Sequence, residues 1–260
     1  MSGVDRIAAA FAGSGKRAAL MPYLMGGFPD MEGSRRVAEA YLENGADLIE
    51  LGVPFSDPLA DGPVIHAAGT AALAAGATTD AVLELAAALA PRIPVVLMCY
   101  ANLVLARGAE RFAERLAETG AAGLIVPDVP LEESADMRAA CDANGLAQIP
   151  LVAPTTPDDR LELIGSGARG FLYTVSVTGT TGEREAVALD EIVGRAKAHT
   201  SVPVAVGFGI ATPEHADAAA RAGADGVIVG SRLVRAAAES PANPAGAVGP
   251  IVGELADALR

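Results

Sequence analysis

The chain has 260 residues, long enough for one large α/β domain or two small ones, and the length suits a single (β/α)8 barrel. Its 19 Lys and Arg against 32 Asp and Glu leave a formal charge of −13, which repels nucleic-acid phosphates and anionic lipid, so neither is expected as a partner. No stretch approaches the roughly 18 uninterrupted apolar residues of a membrane helix. The opening MSGVDRIAAAF lacks the basic start and apolar run of a secretory signal, and the two cysteines, Cys99 and Cys141, make neither a disulfide framework nor a CxxC pair. A reducing, cytoplasmic location is the expectation.

The pattern begins with a short helix candidate around Asp5–Ala12, placed to lie across a barrel floor. Eight short apolar runs follow: residues 18–25, 47–53, 94–100, 123–128, 148–153, 170–176, 203–208 and 226–231. Between them lie amphipathic runs such as RRVAEAYLEN, RFAERLAET, DMRAACDAN, EIVGRAKAH and EHADAAARA, with apolar positions at three- and four-residue spacing. This alternation predicts parallel βα units closed into one (β/α)8 barrel over 1–260, with the extra N-terminal helix and a short helix after the eighth strand; an open doubly wound sheet is the lesser alternative. Gly-Ala steps at Gly45, Gly120, Gly167 and Gly223 precede the even strands and suit helix C′ positions. Pro94, Pro150 and Pro203 open the third, fifth and seventh strands, where no ladder donor is lost. Ser240–Gly249 reads as a surface connection before the last helix.

Barrel enzymes carry their chemistry at the C-terminal strand ends. That rule selects Glu50, Asp57, Asp61, Tyr100, Asn102, Asp128, Tyr173, the glycines at 207–209, and Gly230-Ser231. Glu50 sits in an apolar strand, DLIELGV. Turned inward it is desolvated and its pKa rises toward the range useful for proton transfer; turned outward it is an ordinary partner for a helix cation. Asp61 ends a loop, PFSDPLADGP, stiffened by Pro54, Pro58, Gly62 and Pro63. Asp57 in that loop is divided between function and plain turn or capping duty. Gly207-Phe208-Gly209 and Gly230-Ser231, at the ends of strands seven and eight, suit phosphate held by backbone N–H groups and a helix N-terminus. VTGTTGEREA (177–186) reads as a lid, and the three histidines show no metal-ligand spacing. Acid–base catalysis without a cofactor is the leading class.

ELGVPFSDPLADGP resembles the signature of the tryptophan synthase α subunit family. The likeness continues through PYLMGGFPD, MCYANLV, GLIVPDVP, YTVSVTGTTG, GFGI and VGS, in order over the chain. The resemblance implies retro-aldol cleavage of indole-3-glycerol phosphate to indole and glyceraldehyde 3-phosphate. By it, Glu50 is the acid/base and Asp61 the carboxylate for the indole N–H. Tyr23, Tyr100, Tyr173, Phe208 and Ile228 would line the indole pocket, and Gly182, Gly209, Gly230 and Ser231 would hold phosphate. Thr181 would anchor the lid near Asp61. It further implies a β subunit that carries pyridoxal phosphate, with no cofactor in this chain, and an interface that includes Pro54, Ser56, Asp57 and Pro58. A free-standing lyase and a catalytically weak scaffold that activates a β subunit are the narrower alternatives. Two departures stand out: the lid reads Gly179-Thr180-Thr181-Gly182 where the family commonly has GVTG, and Tyr23 adds a hydroxyl where relatives carry Phe.

Overall fold

The computed structural model describes residues 1–175, 183–207 and 209–260; for 183–188 only the backbone is considered. Eight barrel strands form in the expected places, as nine segments: β1 (Ala19–Met25), β2 (Ile49–Gly52), β3 (Val95–Met98), β4 (Gly123–Ile125), β5 (Ala147–Ile149), β6 (Leu151–Val152), β7 (Leu172–Val175), β8 (Val204–Gly207) and β9 (Gly226–Val229). All pairings are parallel, in the order β5-β4-β3-β2-β1-β9-β8-β7-β6. The two ends of that order, β5 and β6, are halves of one strand broken at Pro150. Pro94 and Pro203 stand immediately before their strands as expected, but Pro150 falls inside its strand, because the chain already pairs from Ala147. A proline has no N–H for the ladder, and the strand divides there.

Alternation sorts the side chains into two cores. Leu20, Ile49, Leu51, Leu97, Leu124 and Val227 point outward and pack with the helices. Met21, Leu48, Val96, Ile125, Ile149 and Phe171 fill the barrel interior. Glu50 shares the inward parity of Leu48, which settles its orientation: it points into the barrel, and the outward reading fails.

The floor is closed by α1 (Gly3–Gly13), capped by Ser2, whose hydroxyl accepts from the Asp5 N–H while the Asp5 carboxylate receives the Ser2 N–H. Ile7 on this helix is fully buried in the interior core, and Phe11 stacks at a tilt against Phe171 with ring centroids 5.8 Å apart. The Arg6 guanidinium donates to the carbonyls of Ala90, Ile93 and Gly120, so one cation satisfies acceptors just past the ends of two helices, α4 (Thr79–Leu89) and α6 (Ala109–Glu118).

The outer layer contains α2 (Met31–Glu43), α3 (Pro63–Ala74), α4, α5 (Ala101–Leu105), α6, α7 (Ala135–Ala143), α8 (Asp158–Ser166), α9 (Glu183–Ala198), α10 (Pro213–Arg221), α11 (Ser231–Glu239) and α12 (Pro244–Ala258). Gly45, Gly120 and Gly223 take left-handed φ values of 96°, 75° and 89°, as C′ glycines should. Gly167 departs from that rule: its φ is −93°, and the left-handed step falls at Gly170 with φ 70°. The supposed connection Ser240–Gly249 is shorter than expected, since Asn243 accepts from the Gly246 N–H and Pro244 opens α12. Cys99 and Cys141 are free, buried thiols.

Because Ile7 is packed on every side, Ile7→Ala removes burial and leaves a void. It should cost about 2–4 kcal/mol in a urea titration; a loss under about 0.5 kcal/mol would show that α1 is not needed to close the floor.

Candidate active site at the C-terminal mouth of the barrel

A cavity of about 220 Å³ opens where the C-terminal ends of β1, β2, β3, β7 and β9 converge. Glu50 lies on its inner wall, 1 % exposed, with Oε2 making no hydrogen bond to any described residue. A buried carboxyl with an unpaired oxygen is costly when ionised, and burial, followed by the nearby Asp61 charge, raises its pKa to about 8. Its proton is therefore held at neutral pH.

Asp61 faces the same cavity from the loop after β2. Its pKa is raised chiefly by burial, opposed by the hydrogen bond from Tyr100 and by His66. The loop is oriented by Tyr100, whose hydroxyl donates to Asp61 Oδ1 at 2.9 Å and accepts from the Ala60 N–H at 3.0 Å. Phe55 stacks on the Tyr100 ring, centroids 5.4 Å apart. Asp61 does not cap α3: Gly62 occupies that position, with no side-chain cap bond. The carboxylate is left for the cavity.

Tyr23, Tyr173 and Ile228 line the cavity as expected. Each tyrosine rests on a glycine of the next strand. A Cβ at Gly52 would overlap the Tyr23 hydroxyl, and one at Gly207 would overlap the Tyr173 ring. The additional hydroxyl of Tyr23 finds a weak acceptor, Met25 Sδ, at 3.9 Å. Burial first, and the two carboxyl groups after it, push the Tyr23 phenol far above its usual range, so it stays neutral. Tyr100 is not part of the lining; it acts one step back, holding Asp61 and the loop.

Beyond the ends of β8 and β9 the lining includes Gly209, Gly230 and Ser231. Gly230 has φ −112° and ψ −84°, and a Cβ there would make only ordinary 3.7–3.9 Å contacts with Tyr23. Space in the protein therefore does not exclude a side chain at this position, whereas a ligand approaching the backbone would. Phe208, Thr181 and Gly182 lie outside the described residues. Of the segment 177–186 only its end is described, where Glu183 opens α9.

Two residues picked by the strand-end rule have other duties or none visible: Asp128 Oδ1 accepts from the Ala101 N–H at 2.9 Å, which starts α5, and Asn102 is exposed. In the loop after β2, Pro54 is buried, Pro58 half-buried, and Ser56 and Asp57 are exposed, with the Ser56 hydroxyl donating to Asp57. Leu59 beside them is 84 % exposed. Sequence reasoning did not pick out Met98, Ile65, Arg232 or Arg235, all of which line the cavity. Met98 was within reach, because it lies two residues beyond inward Val96. A larger cavity of about 460 Å³ lies between the β4 end, the divided fifth strand, α7 and α8. Neither Glu50 nor Asp61 reaches it, so the chemistry is placed in the smaller one.

The sequence model of the family described as "Tryptophan synthase alpha chain" matches residues 10–253. The chain is 50% identical over 236 residues to the tryptophan synthase alpha chain of Gloeobacter violaceus, covering 88% of this chain and 86% of that one. It is 49% identical over 220 residues to that of Methanosarcina mazei, covering 85% and 81%. Among solved structures, tryptophan synthase from M. tuberculosis, in an aminoacrylate-bound form, superposes with a TM-score of 0.89 at 38% identity over 98% of both chains. With a family match across nearly the whole sequence, the chain belongs to the tryptophan synthase alpha chain family.

Proposed function

We propose that the mouth cavity cleaves indole-3-glycerol phosphate by a retro-aldol reaction, with Glu50 moving the protons and Asp61 holding the indole nitrogen. The chain is a carbon–carbon lyase of tryptophan biosynthesis, the alpha subunit reaction of its family. The observation that carries the residue assignment is the buried Glu50 carboxyl with its unpartnered Oε2, facing Asp61 across the cavity.

Glu50 enters the cycle protonated and donates to the indole ring carbon that bears the glycerol side chain. Positive charge then develops on the ring nitrogen, and the Asp61 carboxylate, set in place by Tyr100, accepts the N–H hydrogen bond and stabilises it. The Glu50 carboxylate next takes the proton of the hydroxyl on the attached carbon. The carbon–carbon electron pair returns to the ring, and that carbon becomes the aldehyde of glyceraldehyde 3-phosphate. One proton is given and one is taken, so the sequence is balanced. Tyr23, Tyr173 and Ile228 would grip the indole, with Phe208 and the lid residue Thr181 assigned on family likeness. Gly209, Gly230, Ser231 and Gly182 would receive the phosphate.

The chain works with a β subunit. A Pyrococcus furiosus relative, with a TM-score of 0.86 and 35% identity, is described as part of a mutually activated a2b2 complex. The partner face is proposed at Ser56, Asp57 and Pro58, extended by the exposed Leu59 and Leu105, whose apolar side chains are 84 % and 65 % exposed. Pyridoxal phosphate is assigned to that partner and none to this chain. No described helix is long and apolar enough to cross a membrane; the two free, buried thiols fit a reducing compartment, and we place the protein in the cytoplasm as one domain over 1–260.

Glu50→Gln should lower kcat by about 10²–10⁴-fold with little change in substrate affinity. Asp61→Asn should lower it too, through lost charge stabilisation. Release of glyceraldehyde 3-phosphate, followed in a coupled assay with the β subunit present, reads both; wild-type turnover in either variant would remove that residue's role.

The Glu50 pKa also predicts a stability signature. The folded protein holds this proton up to about pH 8, while an exposed glutamate loses it near 4.5. Stability therefore falls as pH rises between those values, by up to about 1.4 kcal/mol per unit. Glu50→Gln abolishes that slope, so in urea titrations the variant gains on wild type from pH 5 to pH 8. A difference independent of pH would contradict the assignment.

A further inference from the structure

The proposed phosphate end of the cavity has more charge than its glycines provide. Arg232 and Arg235 both line it, and among the described lining residues they are the only cations, facing Glu50 and Asp61 as the acids. They stand three residues apart on α11, which places them on one face of its first turns. The neighbouring Leu233, Val234, Ala236 and Ala237 are buried. Neither guanidinium forms an ion pair or a hydrogen bond with any described residue. Arg17, Arg160 and Arg195 are each paired with a carboxylate, while the Arg92 and Arg111 guanidinium groups also lack a described partner; the α11 pair is distinguished by its place on the cavity wall.

Their position also runs against local electrostatics. Arg232 occupies the first turn of α11, where the helix dipole favours anions, and that turn holds no acidic residue. The N–H groups of Ser231 and Arg232 have no partner within the helix, because no helical turn precedes them, whereas Leu233 and Val234 already reach the Gly230 carbonyl. A dianion between these donors and the two guanidinium groups would relieve both deficits. An independent sign that the cavity receives a ligand is Glu50 Oε2, buried on its inner wall without a partner among the described residues.

We propose that Arg232 and Arg235 form a cationic clamp that selects the dianionic phosphate of the substrate, beyond the backbone donors of Gly209, Gly230 and Ser231. This rests on the reading of the cavity under Proposed function. In a protein of net charge −13, entry of an anionic substrate past the Asp61 carboxylate is otherwise opposed. The clamp supplies local attraction where the chain as a whole repels.

The full-length chain with its β subunit is compared with Arg232→Ala/Arg235→Ala and with the double Lys variant. The Ala pair should lower kcat/KM for indole-3-glycerol phosphate at least tenfold, carried by KM. It should also weaken competitive inhibition by inorganic phosphate by a similar factor and flatten the salt dependence of both. In the reverse direction, condensation of indole with unphosphorylated glyceraldehyde should change less than twofold, which separates the clamp from a general structural role. Lys should restore part of the loss, because it keeps the charge but not the fork geometry. Unchanged KM and phosphate inhibition in the Ala pair would overturn the clamp. So would an equal loss with the unphosphorylated aldehyde, or a Lys variant as impaired as the Ala pair. If wild type bound phosphate through these arginines yet cleaved no indole-3-glycerol phosphate, the clamp would stand and the lyase reading of the cavity would fall.

Discussion

The site depends on one constraint: a carboxyl group, Glu50, buried inside a barrel with Oε2 bonded to no described residue and a second carboxyl lining the same cavity. Such a group resists ionisation, because the charge would have neither water nor a described partner for Oε2. The fold bears that cost to keep an acid protonated at neutral pH. A charged partner would have stabilised the strand and removed the function.

The rest of the barrel mouth keeps that environment in place. Gly52 and Gly207 make room for Tyr23 and Tyr173, which narrow the space around Glu50 and bury it. Tyr100, behind the loop, fixes Asp61 so that its charge is both felt by Glu50 and available to a ligand. Met98 and Ile228 close the apolar wall. Across the opening, the start of α11 presents open N–H groups and two guanidinium groups. The cavity thus has an acid–base end and a cationic end, in keeping with a substrate that joins an aromatic ring to a phosphate.

Much of this was legible in the sequence, for reasons that differ by element. Strand alternation is strict, so Leu48 and Glu50 had to share a face, and the strand-end rule brought Glu50, Asp61 and Gly230-Ser231 to one mouth. What escaped depended on loop conformation or on contacts between distant segments. Tyr100 lies at the end of the third strand candidate, but whether its hydroxyl enters the cavity or meets Asp61 is decided by the path of residues 54–62. Pro150 looked like a strand opener because the pairing of Ala147 with Gly123 cannot be read from local pattern. Gly167 shared the Gly-Ala step of its three counterparts, yet the left-handed turn came at Gly170. Arg232 and Arg235 carried no signal in the sequence, because only the packing of α11 beside the mouth puts a half-buried and an exposed arginine on the cavity wall.

The most direct test of the central claim is a titration of Glu50 itself. With ¹³C-labelled glutamate and Glu50→Gln to identify its signal, carboxyl ¹³C NMR should give a midpoint near pH 8 in the free protein. Asp61→Asn should shift the midpoint downward, because one of its two causes is removed. A midpoint near the ordinary 4.5 would contradict the account, since Glu50 would then be ionised at neutral pH and could not begin the cycle as an acid.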